Sequence, residues 1–149
     1  MVNVSSVKRK EPIFPIGVAA KIVGVSSSTL RMYETEGLLI PYKTTTKMRL
    51  FTDEDIEWIR HIRILIKKEK LGVEGIRRIL ALIPCWKMRD CTKEARKSCA
   101  AVAATVSPCW TVKDAQEKYG ETECRSCGVY RYARQAFDTK KMLADYTNY

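Results

Sequence analysis

Six cysteines, Cys85, Cys91, Cys99, Cys109, Cys124 and Cys127, fall within one stretch of the 149-residue chain, and none lies outside it. Thiolates are soft donors suited to zinc, copper(I) and iron–sulfur clusters. Cys124-x2-Cys127 has the spacing of a chelating pair. The tripeptides Pro84-Cys85-Trp86 and Pro108-Cys109-Trp110 recur 24 positions apart, each followed by two more cysteines, Cys91 and Cys99 in the first copy and Cys124 and Cys127 in the second. Four thiolates close a tetrahedral zinc site or hold one common cluster, so the chain carries two more than that requires.

The equivalence of the two Pro-Cys-Trp repeats and the chelating spacing of the last pair select Cys85, Cys109, Cys124 and Cys127 as ligands. Cys91 and Cys99 form a further candidate pair. The only histidine, His61, is distant in sequence from every cysteine and is read as a packed or solvated helix residue, which removes mixed Cys/His zinc sites. An all-thiolate set flanked by tryptophans and tyrosines suits a shielded site, so an iron–sulfur cluster is favoured and Zn is the alternative. Residues 84–128 hold few large aliphatic side chains, so metal bonds would supply folding energy there. A purely structural zinc knot and direct capture of a thiophilic effector metal remain open beside a sensing cluster. Buried free cysteines acting as small hydrophobes explain one or two of the six, not all.

The net charge is +10, from 27 Lys+Arg against 17 Asp+Glu, and the excess is shared by both halves. Such a balance favours a polyanionic partner, with nucleic acid foremost. The first half has the elements to meet one. Ile16, Ala19, Ala20 and Val23 repeat on one helix face, and Gly24 supplies a left-handed stop. Ser26 is placed to cap a second helix through SSTLRMYETE that ends at Gly37. Only Gly24-Val25-Ser26 separates the two helices, as a helix-turn-helix requires. The second helix then presents Ser27, Ser28, Thr29 and Arg31 at its N-terminal end, where a recognition helix meets base edges, and Arg31 can pair bidentately with guanine.

Beyond it, Leu38-Leu39-Ile40 and Met48–Phe51 flank a threonine-rich centre and predict a two-stranded wing. Thr52-x-x-Asp55 has the form of a capping box for a third helix reaching about Lys68, marked by Ile56, Ile59, Ile62 and Ile66. Val73, Ile76, Leu80 and Ile83 mark a fourth, stopped by Pro84.

The segments IGVAAKIVGVSSSTLRMYETEGLL, then PYK, then MRLFTDEDIEWI resemble the MerR family DNA-binding domain over residues 14–83. That resemblance implies a winged helix-turn-helix acting on a double-stranded operator as a homodimer, with RNA polymerase at the promoter. It also implies that Tyr33 and Arg49 hold the DNA backbone and that Lys43 occupies the basic wing position. Met32, Lys47 and Met48 depart from the family pattern, at a tyrosine, a glycine and a wing aromatic respectively. The two Cys-Trp repeats with their closing C-x2-C-G-V-Y resemble small bacterial two-CW modules.

The expected protein is therefore mainly α. A flexible arm over 1–12, with a Lys8-Arg9-Lys10 cluster, precedes a winged helix-turn-helix over 13–83, a cysteine-rich helical metal or cluster region over 84–128, and a terminal helix over 129–149. The apolar side of that last helix, from Val129 to Leu143, is expected to replace the long dimerisation helix of the family. Pro84 is expected to carry any change in the metal site to the DNA-reading half through one short connection.

No run approaches the ~18 apolar residues that span a bilayer, and the start MVNVSSVKRKEPIFP lacks the apolar stretch of a signal peptide, which predicts a cytoplasmic protein without membrane contact. There is no Ser/His/Asp set and no phosphate loop, so an enzyme is not expected. The rival from another class is a metal- or redox-handling protein whose basic helices bind something other than DNA.

Overall fold

The structure is a computed structural model that describes residues 11–119 and 121–146. The Lys8-Arg9-Lys10 cluster of the expected arm lies outside the described residues. The fold is mainly helical, with one small sheet.

Helix α1, Ile16–Val23, ends at Gly24, whose φ of 75° is the left-handed conformation expected of a glycine stop. Helix α2, Ser27–Thr35, begins at Ser26, whose hydroxyl accepts the Thr29 amide at 3.1 Å. The sheet joins β1, Phe14–Pro15, to β3, Arg49–Phe51, and β3 to β2, Tyr42–Lys43, all antiparallel. The wing strand is thus Tyr42–Lys43 and not Leu38-Leu39-Ile40. Those three residues are buried in an irregular connector between α2 and the wing.

Helix α3, Asp53–Lys67, starts with both bonds of the capping box: the Thr52 amide donates to the Asp55 carboxylate at 2.8 Å, and the Asp55 amide to the Thr52 hydroxyl at 3.1 Å. Helix α4, Val73–Ala81, stops before Pro84.

The cysteine half is a series of short helices: α5, Cys85–Met88; α6, Lys93–Lys97; α7, Ala100–Ala103; a single 3-10 turn, Cys109–Thr111; α8, Lys113–Tyr119; and α9, Glu121–Ser126. The expected terminal helix is corrected: α10, Gly128–Arg131, and α11, Thr139–Tyr146, are separated by a run of turns. Most of the apolar side chains expected to face a second subunit pack within the chain, while Leu143 stays exposed. Val129, Tyr132, Ala133, Ala136 and Met142 are buried in the same cluster as Leu38, Trp58 and Ile62, so the two halves share one core. Phe137 lies 6.0 Å from Trp58 and 5.7 Å from His61, ring centre to ring centre. His61 is therefore a packed residue of the seam. Burial and the Arg134 charge lower its pKa, with Glu69 opposing.

The connector is the tightest part of that seam. Gly37 has φ of 78°, and a Cβ built on it would run into Cγ2 of Thr111 from the other half. Gly37→Ala should therefore destabilise the protein by about 1–3 kcal/mol from backbone strain alone, with the steric overlap adding to it. Thermal melts of Gly37→Ala, Thr111→Ser and the double variant check this: the double variant should recover the steric share, giving less than the sum of the two single losses.

Candidate DNA interface and cysteine cavity

On α2, Ser28 and Arg31 are exposed at i and i+3 and share one outward face, while Ser27 and Thr29 are half-buried. The Thr29 hydroxyl lies 3.0 Å from that of Ser26, within the cap. Tyr33 is placed otherwise than expected. It is 1% exposed, and a side chain so enclosed in the core cannot hold a phosphate, so the backbone-holding role is corrected to a packing one. Its position three residues beyond buried Leu30 puts it on the inner face of the helix.

The two wing cations converge on Glu34. The Arg49 Nε donates to one Glu34 oxygen at 2.5 Å, and Lys43 Nζ lies 3.0 Å from the other. Burial by itself would raise the Glu34 carboxyl, but the bonds from Arg49 and Lys43 outweigh it and hold the group below its ordinary value. Glu34 thereby fastens the wing to the recognition helix, a role that its place in the T-L-R-x-Y-E run did not reveal.

All six cysteines line one partly open cavity of about 250 Å³, together with Trp110, Val129 and Tyr130. Cys85 and Cys109 are hydrogen-bonded to each other. The bond from Cys109, helped by backbone amides at the start of α5 and by the Arg89 charge, lowers the Cys85 thiol to about 7 against the effect of burial. Cys109 is pushed up by its bond to Cys85, by burial, and by the charges of Cys85, Cys127 and Cys124. Arg89 Nη1 donates to Cys127 Sγ at 3.3 Å. Cys85 and Cys109 are thus paired, Cys124 and Cys127 line the same cavity, and exposed Cys91 and half-buried Cys99 face that space from the α5–α7 side.

Among the described residues no group of three or more Cys, His, Asp or Glu side chains is gathered as the ligands of a single ion. The thiols stand around a space more than ten times the ~10–15 Å³ that one water-sized group needs. The donor set, six thiols around one space, suits a thiophilic metal centre.

Residues next to these cysteines reach across the seam. Trp110 donates its indole N–H to the Gly37 carbonyl at 2.8 Å, and Trp58 donates to the Leu38 carbonyl at 2.8 Å. The Ile40 amide donates to the Tyr130 hydroxyl at 2.9 Å. Arg125, between Cys124 and Cys127, donates to the Ile40 carbonyl and grips Asp55 with both guanidinium nitrogens, at 2.8 and 3.2 Å. Nothing in the spacing of the sequence pairs Arg125 with a residue 70 positions earlier.

A family profile described as "MerR HTH family regulatory protein" matches residues 14–83. HspR of Streptomyces coelicolor, a protein named for heat shock, is 37% identical over 71 residues, 48% of this chain and 47% of that protein. The HTH-type transcriptional regulator GlnR of Bacillus anthracis is 30% identical over 95 residues, 61% of this chain and 73% of GlnR. The HTH-type transcriptional regulator HmrR of Sinorhizobium medicae is 40% identical over 78 residues, 50% of this chain and 49% of HmrR. The chain thus spans about half the length of HspR and HmrR.

The Glu34 arrangement carries a pH dependence. Its folded pKa lies below the unfolded one, so its contribution is fully present above the ordinary value of 4.5 and is lost as pH falls through the lower folded value. In Glu34→Gln the acid limb of a melting-temperature-against-pH curve should be shallower than in the parent protein. Superimposable acid limbs would show that the fastening does not exist in solution.

Proposed function

The chain belongs to the MerR HTH family of regulatory proteins, and from that premise we propose that it is a sequence-specific DNA-binding transcription regulator whose cysteine cavity holds an iron–sulfur cluster and senses redox state or metal. The observation that carries the reading is the placement of six thiols around one cavity, in a half of the chain that shares its core with the recognition helix. Family relatives are regulators and not enzymes, in keeping with the lack of a catalytic constellation in the sequence.

Residues 13–83 read DNA and residues 84–128 sense. The exposed Arg31 and Ser28 face the major groove, with Ser27 and Thr29 at the helix start. Lys43 and Arg49, gathered by Glu34, meet the phosphate backbone beside it. Two copies bind a pseudo-palindromic operator, and RNA polymerase is the further partner at the promoter. Cys85, Cys109, Cys124 and Cys127 would hold the centre, with Cys91 and Cys99 at the same cavity. When bound, such a centre supplies one-electron redox chemistry or exchange of its metal.

Two further relatives, from Rhizobium meliloti, are named heavy metal-dependent transcription regulators, which supports a metal-linked signal. The cavity has room for a cluster as well as for one ion. No helix among the described residues is long and apolar enough to cross a membrane.

Anaerobic purification with a visible spectrum and metal analysis tests the sensing part. Brown protein carrying iron and sulfide is expected, and Cys124→Ser/Cys127→Ser should lose both. Colourless protein with zinc alone would reduce the centre to a structural or zinc-responsive one, and full metal content in the double variant would exclude these ligands.

The DNA part is tested by substitution. Arg31→Ala should relax base preference by about 1–3 kcal/mol at the contacted position. Arg49→Ala should weaken all sequences alike and make the salt dependence shallower by about one phosphate contact. Unchanged preference in the first, or loss confined to one base pair in the second, would contradict these roles.

A further inference from the structure

The route between the cysteine cavity and the DNA-reading half is written in side chains that stand beside the cysteines. Arg125 follows Cys124, Trp110 follows Cys109, and Tyr130 comes three residues after Cys127. All three bond the backbone of the connector Gly37–Ile40, at the Gly37 carbonyl, the Ile40 carbonyl and the Ile40 amide. Trp110 and Tyr130 also meet edge to face, with ring centres 5.2 Å apart.

The connector is in turn tied to the recognition helix. The Leu38 amide donates to the Tyr33 carbonyl at 2.9 Å and the Gly37 amide to the Glu34 carbonyl at 3.0 Å, so the last turn of α2 and the connector move together. Two residues beyond Ile40 the wing begins at Tyr42. Arg125 also holds the Asp55 carboxylate, which caps the start of α3. One side chain set between two cysteines thus touches the entry to the wing and the start of the helix beneath it, while its neighbour in the cavity wall, Trp110, takes the exit of the recognition helix.

We infer that Arg125 is the positioning residue that couples the cysteine site to the recognition helix, holding the Gly37–Ile40 connector and Asp55 in one arrangement when Cys124 and Cys127 are drawn into the centre and releasing them when they are not. This rests on the sensing role proposed above. It replaces the expected route through Pro84, which supplies one covalent link at the far end of α4. Tyr130 is the second bond of the same latch. Asp55 and Arg125 are both largely enclosed, with side-chain exposures of 12% and 17%, so their ion pair is not screened as a surface pair would be.

The test uses the whole chain, purified anaerobically with its metal and compared with the same protein after chelator treatment. Operator affinity is measured in both states for the parent, Arg125→Lys and Tyr130→Phe. Arg125→Lys keeps the charge but loses the two-nitrogen grip, and Tyr130→Phe deletes only the hydroxyl that accepts from Ile40. In the parent the two states should differ by a factor on the order of 5–150, and in each variant the ratio should collapse to within about twofold of one, with metal content unchanged.

Hydrogen exchange supplies a readout independent of DNA: the Ile40 amide of the parent should exchange faster after chelation, and in Tyr130→Phe it should exchange fast in both states. A parent ratio that persists in either folded variant would overturn the coupling while leaving the sensor standing. A parent ratio of one would overturn the sensing reading and the coupling with it.

Discussion

Everything else in the molecule depends on how the buried connector Gly37–Pro41 satisfies its backbone. A chain segment that is neither helix nor strand has no ladder of its own, and each amide or carbonyl left without a partner in the interior costs about 1–3 kcal/mol. Here the partners are side chains: Trp110 at the Gly37 carbonyl, Trp58 at the Leu38 carbonyl, and Tyr130 and Arg125 at the two groups of Ile40. Three of the four belong to the cysteine half. The DNA-reading half therefore completes its own hydrogen bonding only when the other half is docked on it, and the dense seam around Gly37 and Thr111 follows from that requirement.

The same arrangement gives the cysteine half a fold it could not build by itself. Its helices are short, several of four or five residues, and helices of that length are not stable alone. Their stability comes from burying Trp110, Val129, Tyr132, Ala136 and Met142 in the core they share with α3. Residues 85–103, by contrast, contribute no buried side chain. They form the outer wall of the cavity, where Cys91 and Cys99 sit. That wall buries no side chain of its own and would gain from metal–thiolate bonds.

Electrostatics divide along similar lines. On the outer face, Lys43 and Arg49 are arranged by Glu34, so the two cations of the wing are given a fixed geometry. Inside, the Arg125–Asp55 pair is enclosed, the carboxylate also accepting from the Thr52 amide and the guanidinium also donating to the Ile40 carbonyl, and removing either would leave a buried charge unpaired. Around the cavity, the Cys85–Cys109 bond lowers one thiol and raises the other, and binding a metal would draw off both protons.

From residue order alone came the helix-turn-helix with its Ser26 cap and its stops at Gly24 and Gly37, the capping box at Thr52 and Asp55, and the end of α4 before Pro84. These are local signals, decided by backbone conformation and by spacing within a turn or two, so they can be read without knowing the fold. The burial of Tyr33, the break of the terminal segment into α10 and α11, the use of Leu38–Ile40 as a connector instead of a strand, and the grip of Arg125 on Asp55 were decided by tertiary structure. Each depends on partners 20 to 90 positions away, as with Trp58 on Leu38 and Tyr130 on Ile40. An apolar stripe such as Val129 to Leu143 says that a face must be buried but not against what. Here Val129, Ala133 and Ala136 pack into the shared core and Phe137 meets Trp58 of α3, while Leu143 stays exposed.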